Sequence, residues 1–201
     1  MARLQLNKSS LAREAKHLRT FEGFLPSLDL KRQQLMAERA KAGRVIAETR
    51  NEIESFRKQV GQNLPMLANL DVDLTNLAKV TDVRLGTENV VGTRLPRLEG
   101  IEVEVRPYAL LAKPHWVDNV VAMLRDMLEM RVRVQVEEKR LAYLEASVKT
   151  ITQRVNLFDK VLIPRARANI KRIKIYLSDE EMSAVVRSKI SKKKRAAARQ
   201  L

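Results

Sequence analysis

The strongest constraint on this chain is an apolar residue at every seventh position, kept up through most of both halves. Stepping by seven from Leu4 gives Leu11, Leu18, Leu25, Arg32, Arg39, Ile46, Ile53 and Val60. The companion positions three residues on include Phe21, Leu28, Leu35, Ala42 and Phe56. The second half repeats the pattern without a polar interruption at Val120, Met127, Val134, Leu141, Val148, Val155 and Leu162. Met123, Met130, Leu144, Ile151 and Phe158 fill most of its companion positions. A stripe of this period, sustained well past three or four heptads, is the seam of a coiled coil. Arg32 and Arg39 interrupt the first seam, where their aliphatic stems are expected to lie along it with the charged heads in water.

Within the second seam, residues 155–177 read VNLFDKVLIPRARANIKRIKIYL and place Pro164 inside an otherwise helical pattern. A proline there removes a backbone hydrogen bond, clashes with the carbonyl four residues earlier and costs about 3 kcal/mol. Beyond it the stripe returns one residue late, on Ile163, Ile170 and Leu177, with Ala166 and Ile173 between them. So regular a stripe on both sides predicts a helix that bends at Pro164 and continues. Pro26 is a second candidate kink.

Between the halves the pattern changes. Leu67, Leu70, Leu74 and Leu77 predict a short amphipathic helix. The following stretch, rich in glycine and proline, carries the period-two run Ile101, Val103, Val105 and reads as one or two β hairpins with turns near Gly86, Gly92 and Gly100. Pro114 suits the first turn of a returning helix. The fold class expected is mainly α: a long antiparallel two-helix coiled coil with a small hairpin-containing head between the helices, since each seam's nearest partner is the other. The expected divisions are an N-terminal helix over 1–62, a short helix and hairpin head over 63–114, a C-terminal helix over 115–177, and a capped terminal helix with a basic tail over 178–201. The last rests on the capping box Ser178-x-x-Glu181, with Asp179 and Glu180 beside it.

Composition narrows the function. Only 4% of the chain is aromatic, which favours long helices over a globule. A formal charge of +15 implies an anionic partner: nucleic acid, a lipid surface or an acidic protein cavity. Residues 187–201, RSKISKKKRAAARQL, hold basic residues and no acidic ones. There is no cysteine, hence no disulfide or thiol chemistry. No apolar run reaches the ~18 residues that cross a bilayer, and the start has no signal-peptide pattern, so a cytosolic protein is expected.

Chemistry is hard to find. The GTENVVGT stretch has the wrong spacing for a nucleotide-binding loop and lacks its lysine. His17 and His115 lie in different segments and make no metal set. Glu137, Glu138 and Glu145 stand among Lys and Arg, where ion pairing at three- and four-residue spacing is their ordinary role. Trp116 reads as a packing residue at a helix start. With no nucleophile and base pair, no catalytic residue, cofactor site or metal site is expected.

Three segments carry a family likeness: LQLNKSSLAREAKHLRTFEGFLPSLDLKRQQL, ENVVGTRLPRLEGIEVEV, and RVNLFDKVLIPRARANIKRIKIYLSDEEMSAVVRSKI. Together and in this order they resemble the D subunit of the V/A-type rotary ATPases, the central rotor shaft, over essentially the whole chain. The resemblance implies a non-catalytic shaft whose two ends enter a hexamer of catalytic A and regulatory B subunits. Its middle would bind the small F subunit, and its head would dock on the funnel-shaped subunit of the membrane sector. Such a shaft couples ATP hydrolysis or synthesis to ion transport, hydrogen ion transport included. It is cytoplasmic, peripheral to the membrane, and neither inserts into the membrane nor binds nucleic acid. On this sequence the hexamer contacts would be Arg165, Arg167, Lys171, Arg172, Lys174, Arg187, Lys189, Lys192, Lys193, Lys194 and Arg195, with the kinks at Pro26 and Pro164. The competing readings are a basic coiled coil that binds nucleic acid and a stalk that lies on anionic membrane; the first predicts steep salt dependence.

Overall fold

The computed structural model describes residues 4–68, 74, 76–108 and 114–198, with side chains as far as 195. In chain order these form α1 (Lys8–Asn63), a 3-10 turn (Pro65–Ala68), β1 (Ala78–Val90), β2 (Thr93–Val105), α2 (Trp116–Leu157), a π turn (Phe158–Leu162) and α3 (Ile163–Ala198). The fold is mainly helical, with a single hairpin between two long helical runs. The backbone groups into two units, Met1–Leu30 with Ile151–Leu201, and Lys31–Thr150.

In the first unit α1 begins at an asparagine cap. The Asn7 side-chain oxygen accepts from the Ser10 N–H at 2.7 Å, and the Asn7 carbonyl accepts from the Leu11 N–H. That satisfies donors the helix start would otherwise leave bare. Asn169 donates to Glu14 at 3.2 Å, Arg167 pairs with Glu22 at 2.7 Å, and Phe158 meets Phe21 edge-on. Rising numbers on α1 meet falling numbers on the other run, so the helices are antiparallel. Ile151, Val155, Ile163, Ala166 and Ile173 are buried along this seam.

The one-residue slip at Pro164 has a backbone cause. Phe158–Leu162 is a π turn in which the Ile163 N–H reaches back five residues to the Phe158 carbonyl. A π turn absorbs one surplus residue, which is the amount by which the apolar stripe changes register. Pro164 follows directly, and the chain continues as α3. Pro26 lies inside α1, which runs on past it.

In the second unit Leu35, Ala42, Ile46 and Thr49 of α1 and Val134, Val136, Leu144 and Val148 of α2 are buried. Arg32 is half-buried and Arg39 exposed. Below this seam Leu64, Leu77, Trp116, Val117, Val120 and Val121 form a small core, so Trp116 is a packing residue. The 3-10 turn at Pro65–Ala68 takes the start of the expected amphipathic helix. Leu70 lies outside the described residues, while Leu77 belongs to this core and Leu74 packs against it.

The expectation of turns at three glycines is corrected. The hairpin has one turn, at Val91 and Gly92, with φ of 52° and 81°. Two residues with positive φ make the tight two-residue connection whose twist suits a hairpin. Gly86 and Gly100 stand inside the strands instead. Gly100 opposes Arg84 beside a bulge that leaves Glu99 unpaired, and a Cβ at Gly86 would run into the Glu99 side chain.

The hairpin folds back along α2. Leu95 is fully buried, Thr93 donates to the Ser147 hydroxyl at 3.3 Å, and Glu88 pairs with Arg140 at 2.9 Å. An isolated two-stranded hairpin is marginal in water, so its apolar inner face needs this cover.

The helix restart at Ser178 is also corrected, since α3 passes through Ser178 unbroken. A capping residue must leave helical geometry, and no glycine or proline between Arg165 and Ala198 makes it do so. With the nucleus already formed upstream, propagation is the easier course.

Candidate functional site

The feature that sets this chain apart is the end of α3. From Ser178 to Arg195 every residue is exposed, whereas upstream Ile163, Ala166 and Ile173 are buried against the rest of the unit. This stretch packs against nothing among the described residues and owes its helical form to continuity with the packed part of α3 upstream. Its sequence also carries an apolar row. Ile175, Met182, Val186 and Ile190 recur at steps of seven, four and four, and each is more than half exposed. Such spacing keeps them on one side of a helix. This row lies on the face of α3 opposite the buried Ile173, and in the sequence a capping box and a run of lysines mask it.

All eleven basic residues proposed from the sequence as hexamer contacts lie on α3 and are exposed. They do not form one patch. Arg165, Arg167, Lys171, Arg172 and Lys174 sit where α3 still packs on its unit, and Arg167 is occupied by Glu22 at 2.7 Å. Arg187, Lys189, Lys192, Lys193, Lys194 and Arg195 share the unpacked end with the apolar row, spread around the helix. The end therefore presents apolar and cationic surface together.

No group of three or more His, Asp or Glu among the described residues could hold a metal ion. The one shifted ionisable group among the described residues, Tyr108, lies elsewhere; its hydroxyl donates to Asp118, and that bond holds its pKa above the ordinary value. No described helix is long and apolar enough to cross a membrane.

The family model that describes the D subunit of ATP synthase matches residues 10–193. The chain belongs to the ATP synthase D subunit family. Curated relatives of this D subunit are themselves named as V-type ATP synthase D subunits. The one from Borreliella burgdorferi is 32% identical over 192 residues, covering 96% of this chain and 95% of the relative. Those from Chlamydia felis and Chlamydia abortus are 32% and 33% identical over 195 residues, covering 96% of this chain and 94% of each relative. As a D subunit, the chain is one component of an assembly, and its two antiparallel helical runs are the coiled coil expected from its heptads.

Proposed function

We propose that this D subunit is the central rotor shaft of a V-type ATP synthase, non-catalytic itself, carrying torque between the A/B hexamer and the membrane sector. The unpacked end of α3 carries this reading. A terminal helix that exposes an apolar row and six basic side chains, yet keeps helical continuity with a packed coiled coil, is suited to insertion into a surrounding cavity. Cationic contacts there are screened and individually weak, which suits a surface that must move between equivalent positions. The π turn and Pro164 supply the asymmetry by which each catalytic interface would meet a different face. The F subunit on the middle, the funnel subunit at the hairpin-bearing end and a peripheral cytoplasmic location complete the reading.

Removing residues 191–201 tests it. The truncated chain should keep its coiled coil while the reconstituted complex loses rotation under load. Full ATP-driven rotation under load by the truncated shaft would overturn the role of this end.

A further inference from the structure

The exposed face of α3 past Leu177 carries charges in line with its apolar row. Asp179, Met182, Val186, Ile190 and Lys193 follow one another at steps of three, four, four and three. At about 100° per residue these positions fall within about 80° of the helix circumference. All of them are exposed. The spacing is symmetric about Val186, with an apolar residue four positions away on either side and a charge seven positions away. The two charges are opposite in sign.

Neither charge has a local partner. Three and four residues from Asp179 stand Ile175, Tyr176, Met182 and Ser183, and from Lys193 stand Lys189, Ile190, Ala196 and Ala197. None is of opposite charge, so the pairs that ordinarily hold exposed helix charges are closed to both. No ion pair among the described residues involves Asp179 or Lys193. Asn169 meets Glu14 and α1 begins at Lys8, so α3 outruns its antiparallel neighbour before Ile190 is reached.

A row of this symmetry fits a second copy of itself. Two α3 ends laid antiparallel bring Val186 against Val186, Met182 against Ile190 twice, and Asp179 against Lys193 twice. A patch that meets its own copy across a two-fold axis is the commonest form of self-association. A parallel pair would instead set Asp179 against Asp179, and Lys189, Lys192 and Lys193 each against its own copy. Like charges so placed repel, and charge therefore selects the antiparallel arrangement.

We propose that the free chain pairs with a second copy of itself, antiparallel and two-fold, through residues 179–193 of α3. The contact is only about 21 Å long, so the pair is weak. It forms because the helix is already built, which leaves little to order on association. Pairing covers the apolar row in chains outside the assembly, and the pair must open before that face can meet anything else. The proposal goes beyond the reading of the α3 end as an inserted shaft tip, and its tests use the free chain alone, so the two can fail separately.

Because the chain has no cysteine, introduced thiols report on single positions. In the purified full-length chain, Val186→Cys should crosslink to its own copy under oxidised glutathione, since the axis passes there. Met182→Cys or Ile190→Cys alone should crosslink at least about tenfold more slowly, each being about 12 Å along the helix from its own copy. A mixture of those two should give the mixed dimer. Ser188→Cys, on the opposite face, should stay uncrosslinked. Self-crosslinking at 182 as fast as at 186 would mean a parallel pair and overturn the proposal.

Sedimentation equilibrium supplies a second arm. Asp179→Lys and Lys193→Asp should each weaken the pair about tenfold at low salt, because each turns two attractions into two repulsions. The double variant, with the charges exchanged, should restore it. A wild-type chain that stays monomeric up to about 1 mM, or a double variant no stronger than the single ones, would overturn the proposal. Every substituted position is exposed, so the fold itself should not change.

Discussion

The Phe158 ring stands perpendicular to that of Phe21 on the facing helix, with centroids 5.5 Å apart. His17 stacks on Phe21 at 5.9 Å, so the π turn is held at its first residue by an aromatic group on α1. Edge-to-face pairs of this kind add about 0.5–1.5 kcal/mol beyond burial. If the turn exists to absorb a surplus residue, deletion of one residue within it has an unusual signature. Deleting Lys160 alone would place Pro164 in a regular helix and should destabilise by about 3 kcal/mol. Deleting Lys160 together with Pro164→Ala should return stability to within about 1 kcal/mol of wild type, because the stripe is then in register on both sides. Urea unfolding of the two single variants and the double variant checks this. Additive losses would mean that the π turn does not absorb the slip.

The hairpin turn is strained at one residue. Val91 has a φ of 52°, a region that penalises a β-branched side chain, whereas Gly92 at 81° is at ease there. Val91→Asn should therefore stabilise the chain by about 1 kcal/mol, since asparagine tolerates this backbone. Gly92→Ala should do the reverse, because the new Cβ would also stand 3.1 Å from the Lys31 amine. Thermal unfolding of both variants should show shifts of opposite sign.

Leu144 in the second unit and Ile173 in the first are both fully buried. Truncation of either to alanine should cost about 2–5 kcal/mol, by lost transfer energy and the cavity left behind. The same change at Leu157, which is 46% exposed in α2, should cost less than about 1 kcal/mol. Chemical denaturation of the three variants measures the contrast.

What the sequence makes legible divides along physical lines. The heptads of both halves are legible because a period shared by many residues survives the odd exception, as Arg39 shows by standing exposed without breaking α1. The register slip at Pro164 is legible for the same reason, although its backbone form is not, since a π turn has no residue signature of its own. Gly86 and Gly100 mislead because glycine serves close approach inside a strand as well as turns, and only the register tells these apart. Ser178 misleads because a capping box is only a local option, and the helix entering it has no reason to stop. The basic residues of α3 stand out by composition, while the apolar row between them is hidden in a segment that reads as a tail.

Tyr108 gives a pH-dependent expectation. Its hydroxyl donates to Asp118, and this bond, followed by desolvation and the carboxylate's charge, raises its pKa above 10.0. A group whose folded pKa is raised contributes stability that is present below the unfolded value and lost as pH rises through the folded one. The wild type should thus lose stability above pH 10.0 more steeply than Tyr108→Phe, and the two should run parallel below that. Unfolding measured across this range would test the link, and identical high-pH limbs would remove it.

The end of α3 combines two kinds of contact that salt separates. Replacing Lys192, Lys193, Lys194 and Arg195 with alanine removes charge only, so any loss of assembly should be greatest at low ionic strength. At about 1 M salt, where screening acts within about 3 Å, the variant and the wild type should converge. Changing Met182, Val186 and Ile190 to serine removes burial instead, and its effect should persist or grow with salt, because apolar association is not screened. Each of these side chains is exposed in the free chain, so neither set should disturb its folding. Titrating the hexamer with each variant at low and high salt reads the two contributions apart. If only the charge variant weakens assembly, the apolar row plays no part in it.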